Sequence, residues 1–129
     1  MQLKISFRLC FLLVSALLVL SAFRCGKEKA IDEFPYKARL ETTGICFNYT
    51  FTLIEGDIDP SLVEASWTNP QTNKTYINAF GIANPCNLPS NLKEGDEFYF
   101  SLSSHRTNSC AVCEAYYPSP GKKLYITVK

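Results

Sequence analysis

The sequence predicts an all-β domain, either an antiparallel sandwich or a small barrel of six or seven short strands, with at most one short helix. Three observations carry this. Apolar and polar residues alternate with period two over 36–41, 45–53 and 97–102. Gly, Pro and Asn cluster between those runs. Beyond residue 35 there is hardly any helical period.

Tyr36, Ala38 and Leu40 interleave with Lys37, Arg39 and Glu41, the pattern of a strand with one wet face. Gly44 breaks the run, as a hairpin turn or as a bulge in one long strand. After it Ile45, Phe47, Tyr49, Phe51 and Leu53 alternate with Cys46, Asn48, Thr50 and Thr52. Five large apolar residues on one face predict that this strand is the centre of the core.

Glu55–Pro60 is turn-rich. Asp59-Pro60 suits the cap and first position of a short helix over 61–65. The preferred reading is instead a hairpin, with a strand over 62–67 returning across Asn69–Lys74 as a strand over 75–80. Residues 81–96 hold two Pro, two Gly and three Asn, and read as a loop with at most one helical turn near Ser90–Glu94. Phe98, Phe100 and Leu102 mark another strand. A further strand over 110–117 ends at Pro118-Ser119-Pro120-Gly121, and Leu124, Ile126 and Val128 mark the last.

The N-terminus sets the compartment. Lys4 and Arg8 precede an uncharged run, Leu9–Phe23, that is short for a membrane span, where about 20 apolar residues are needed. It suits the apolar region of a cleaved export signal, and Ser21 and Ala22 supply small residues near a cleavage point. The run is followed by Cys25 and then by the polar stretch Gly26-Lys27-Glu28-Lys29. This arrangement resembles a bacterial lipoprotein signal, although Arg24 stands where that family has a small residue. The resemblance implies a signal over 1–24 and acylation of Cys25. Charge, one proline and the lack of a burying period make 25–35 a tether, and the length that follows suits one β domain over 36–129. The alternative is cleavage after Ala22 and a secreted or soluble periplasmic chain.

Cysteine parity favours acylation. Of six cysteines, Cys10 leaves with the signal, and Cys46, Cys86, Cys110 and Cys113 lie in the body. If Cys25 carries lipid, the body keeps an even number that can pair completely. The chain holds 13 Lys+Arg and 12 Asp+Glu; three cations and no acid lie in the first 24 residues, so the mature chain is weakly acidic. Nucleic acid drops out as a partner on that ground.

A second resemblance covers Tyr76–Leu102. Asn87-Leu88-Pro89 and Leu92-Lys93-Glu94-Gly95-Asp96, followed by an alternating aromatic strand, resemble small OB-like lipoproteins of Bacteroidota-type envelopes. The resemblance implies a fold and a cell-envelope address. It implies no activity, since that family has no defined one.

In an exported domain the four body cysteines form disulfides most simply. Four cysteines allow three pairings; the expected one is Cys46 with Cys86 and Cys110 with Cys113. The first would stabilise the fold by ~3 to 4 kcal/mol through loop closure. Cys110-Ala111-Val112-Cys113 also has the spacing of thiol oxidoreductases. No helical pattern follows it, and the adjacent Glu114 disfavours a thiolate. A zinc site would normally use two close-spaced pairs, and Cys46 and Cys86 are 40 residues apart.

Other chemistry is sparse. The one histidine, His105, sits in a polar loop, and no nucleophile elbow, zinc-protease or phosphate-loop motif occurs. Asp57-Ile58-Asp59 lacks the remaining ligands of a calcium loop. Trp67, Tyr99, Tyr116 and Tyr125 fall on strand faces less certain to be buried, and are the candidates for stacking on a sugar or docking a protein. The sequence therefore leads to a non-catalytic envelope lipoprotein without cofactor, anchored by its lipid and presenting a braced β domain to a protein or glycan. The alternative is a periplasmic thiol-redox protein using Cys110 and Cys113.

Overall fold

A computed structural model describes residues 32–107 and 110–129. The export signal, Cys25 and most of the tether lie outside the described residues. Seven strands form: β1 (Tyr36–Thr42), β2 (Thr50–Glu55), β3 (Glu64–Thr68), β4 (Thr75–Ile82), β5 (Glu97–Leu102), β6 (Lys123–Leu124) and β7 (Ile126–Val128). The only helical segments among the described residues are 3-10 turns of three residues each. The chain thus adopts the all-β class that its alternation predicts.

The strands run in the order β3-β4-β2-β1-β5-β7 with antiparallel neighbours, and β6 lies parallel to β4. The path is not closed; its ends are β3 and β7. Period two places Ala38 and Leu40 of β1 on the inner face, Ala38 opposite Phe98 of β5 and Leu40 opposite Phe51 of β2, with Phe100 of β5 opposite Tyr36. Phe80, Ile82, Leu124 and Ile126 complete that face. Phe51 stacks on Phe80 with ring centroids 5.7 Å apart and meets Phe98 edge-on at 5.8 Å. Each buried Phe contributes roughly 1.5 to 3 kcal/mol of transfer free energy, so this cluster is the main source of cohesion.

Opposite the core, Lys37 and Arg39 of β1 flank Glu97 of β5 at 2.9 and 2.6 Å. The Arg39 guanidinium, with Lys37 second, holds the Glu97 carboxyl below its ordinary range. The group is solvent-exposed, so it aligns β1 with β5 more than it stabilises the fold. Elsewhere on this face Trp67 stacks on Tyr76 at 6.0 Å, and the Tyr76 hydroxyl meets Thr42 Oγ1 at 3.0 Å.

The hairpin over 62–80 forms, with Thr68 opposite Thr75 and a turn over Asn69–Lys74. The helical alternative holds for one turn: Asp59 accepts from Ser61 N at 2.9 Å and caps Pro60–Leu62 before β3 begins at Glu64. Gly56 ends β2 at φ 103°, a conformation that favours glycine.

Three expected elements differ. The strand over 45–53 begins only at Thr50, because Ile45–Phe47 forms a 3-10 turn with Cys46 and Phe47 in the left-handed region. Ile45 and Phe47 consequently face solvent, and only Phe51 of the five expected core residues is fully buried. The helical turn near Ser90–Glu94 is replaced by a 3-10 turn at Pro85–Asn87 and reverse turns over Pro89–Leu92 and Lys93–Asp96. Residues 110–117 carry no strand, since two of them are tied to other loops.

Candidate functional site

Three loops meet at one end of the sheet: 43–49 after β1, 83–88 after β4, and the segment 110–117 before β6. Gly, Pro and Asn in the first two of them, and the left-handed backbone at Cys46 and Phe47, supply turn conformations that strands cannot use. Two disulfides clip them together. Cys46 pairs with Cys113 across 67 positions, Cα atoms 5.1 Å apart, and Cys86 pairs with Cys110 across 24 positions, Cα atoms 5.8 Å apart. The expected pairing is corrected: all four cysteines form bridges, but neither Cys46–Cys86 nor Cys110–Cys113 exists. A bridge within C-x-x-C constrains almost nothing, whereas each observed bridge fixes the 110–117 segment to a different loop.

Further contacts brace this end. Asn48 Nδ2 donates to Ile45 O and to Ala115 O, both at 3.0 Å, and so joins two loops. Glu94 accepts from Thr43 N at 2.6 Å and Thr43 Oγ1 at 2.9 Å, and these bonds hold its carboxyl below the ordinary range. Cys46 and Phe47, at φ 56° and 57°, sit where L-residues pay on the order of 1 kcal/mol each. The Cys113 bridge and the Asn48 bonds over-determine that conformation.

The result is an open groove of about 470 Å³, lined by Cys46, Phe47, Pro85, Cys113, Tyr116 and Lys123 among others. Glu114 and Lys123 give it one charge of each sign, and the Phe47 and Tyr116 rings line it beside polar groups, Asn48 among them. Such a surface suits ring stacking combined with directional polar bonds. Tyr116 is 83% exposed.

The aromatic candidates from the sequence are scattered. Tyr116 alone lies in this groove. Tyr99 is exposed on β5, with Lys37 Nζ 5.4 Å from its ring centre. Trp67 is half-buried against Tyr76, and Tyr125 lines a smaller groove of about 330 Å³ with Leu62, Leu102 and Arg106. Phe47 escaped the sequence reading because it shares the parity of Phe51. The available signal was Gly44 and Asn48 bracketing a cysteine, a combination better suited to a turn than to a central strand.

The sharper chemical readings find these positions. Cys110 and Cys113 belong to separate bridges, so the C-x-x-C spacing marks no dithiol pair in this form, and bonded sulfurs cannot act as zinc thiolates. The Asp59 carboxylate is used as a cap, and among the described residues no three His, Cys, Asp or Glu side chains converge as a metal site. His105 is exposed in its loop, where its backbone N–H donates to Ser103 Oγ. Among the described residues no helix is long and apolar enough to cross a membrane.

Disulfides persist in oxidising compartments, so the two bridges fit an extracytoplasmic, disulfide-braced β domain. No family model, curated protein or solved structure matches the chain.

Proposed function

We propose that the chain is a non-catalytic envelope lipoprotein, anchored through an acylated Cys25, whose braced β domain offers the three-loop groove to a protein or glycan partner. The single observation that carries the binding role is a large aromatic, Tyr116, held out in a groove whose loops are clipped by two disulfides. A tyrosine has few rotatable bonds and its segment is clipped by two bridges, so little entropy is lost on contact, which favours recognition. An OB-like fold is part of this reading. The segment 123–128 runs parallel to β4 through β6 and antiparallel to β5 through β7, a connectivity that supports it. Loops at one end of such folds commonly bind ligands.

Binding of a panel of oligosaccharides and purified envelope proteins, measured by calorimetry, tests the role. Tyr116→Ala and Phe47→Ala are expected to weaken a true ligand at least about tenfold, roughly 1.4 kcal/mol, with little change in stability. A panel without a binder, or variants that bind like the parent, would sink it. The anchor is tested by the intact mass of unreduced protein from membranes. Acylated Cys25 with two disulfides is expected, and an unmodified N-terminus at Phe23 excludes the anchor.

A further inference from the structure

We propose that the two bridges form a thiol–disulfide relay, in which a single two-electron reduction by a dithiol breaks the covalent ties of both the 43–49 and the 83–88 loops to the 110–117 segment. This goes beyond the binding role and stands on the bridges themselves. Cys110 and Cys113 are exposed and three positions apart, while their partners Cys46 and Cys86 are half-buried on two separate loops. Each bridge therefore joins an exposed C-x-x-C residue to a half-buried partner, and the two exposed residues have a spacing that permits a direct bond.

The steps balance. A dithiol thiolate attacks Cys113 Sγ, the bond to Cys46 breaks, and Cys46 leaves as a thiolate that takes a proton from water. The second thiol of the reagent attacks its own sulfur in the mixed disulfide, departs as a cyclic disulfide, and frees the Cys113 thiolate. That thiolate attacks Cys110 Sγ, forms the Cys110–Cys113 bond, and expels Cys86, which is protonated in turn. The reagent loses two electrons, the chain gains two, and one of two bridges remains.

Two features of the structure favour this course. Opening Cys46–Cys113 releases one of the constraints that keep Cys46 and Phe47 in the left-handed region, so the first step relieves backbone strain. No strand holds 110–117, so Cys113 can turn toward Cys110, and attack over three positions is intramolecular and hence fast compared with a second external reduction. The groove between the loops would lose both of its clips together.

The test uses the full chain with pre-existing thiols blocked by N-ethylmaleimide. One equivalent of dithiothreitol is added, the reaction is quenched with acid, new thiols are alkylated with iodoacetamide, and peptides are mapped by mass spectrometry. The expected one-bridge species carries labels on Cys46 and Cys86 and a Cys110–Cys113 cross-link. A one-bridge species labelled on Cys46 and Cys113, or on Cys86 and Cys110, overturns the relay. Passage from two bridges to four labelled cysteines without a one-bridge species also overturns it.

Discussion

The Asn84 side chain closes onto both backbone groups of Ile126. Its Nδ2 donates to Ile126 O at 2.8 Å, and its Oδ1 accepts from Ile126 N at 3.0 Å, with both residues fully buried. One amide thus does the work of a neighbouring strand where β7 begins, and keeps two buried polar groups satisfied. Asn84→Ala is expected to cost about 2 to 4 kcal/mol, because both Ile126 groups lose their partner out of reach of water. Urea unfolding measures it; a loss below about 0.5 kcal/mol would mean that the pair is replaced by other contacts.

The two bridges should differ in worth. In the loop-closure picture, Cys46–Cys113 stabilises by about 4 kcal/mol and Cys86–Cys110 by about 3 kcal/mol, because the former closes the longer loop. Paired serine variants, compared by chemical denaturation, should rank in that order. The reverse order would show that strain at Cys46 and Phe47 offsets the entropic gain.

Glu94 gives the fold an acid-sensitive tie. Its carboxyl is held below 4.5 by the Thr43 backbone N–H first and the Thr43 hydroxyl second. A depressed carboxyl contributes stability that is present above the unfolded-state value and is lost as pH falls through the folded-state value. Stability of the parent should therefore drop as pH is lowered below about 4.5. Glu94→Gln should flatten part of that drop while lowering stability at pH 7; parallel pH profiles would contradict the assignment.

Gly44 is required by space rather than by backbone angle. Its φ of −97° suits any residue, yet an added Cβ would collide with Asn48 O and the Tyr117 ring. Gly44→Ala is expected to cost about 1 to 3 kcal/mol, as overpacking does elsewhere. Thermal unfolding checks this, and an unchanged midpoint would show that Tyr117 moves aside freely.

Alternation determined the all-β class, the strands Tyr36–Thr42 and Glu97–Leu102 and much of the core, because burial of one sheet face imposes period two on local sequence, and the turn residues at 69–74 determined the hairpin between β3 and β4. Cysteine count and the export signal marked the four body cysteines as bridge-formers. Which sulfur meets which was decided by tertiary structure, since Cys46 and Cys113 are brought together by strand order across 67 positions and no local pattern encodes that meeting. The same cross-link decided the fate of Ile45 and Phe47. Their parity predicts core, but a bridge and the Asn48 bonds hold the chain left-handed there and turn both side chains outward. The groove follows from that choice. Its walls come from three loops far apart in sequence, and only the fold places them side by side.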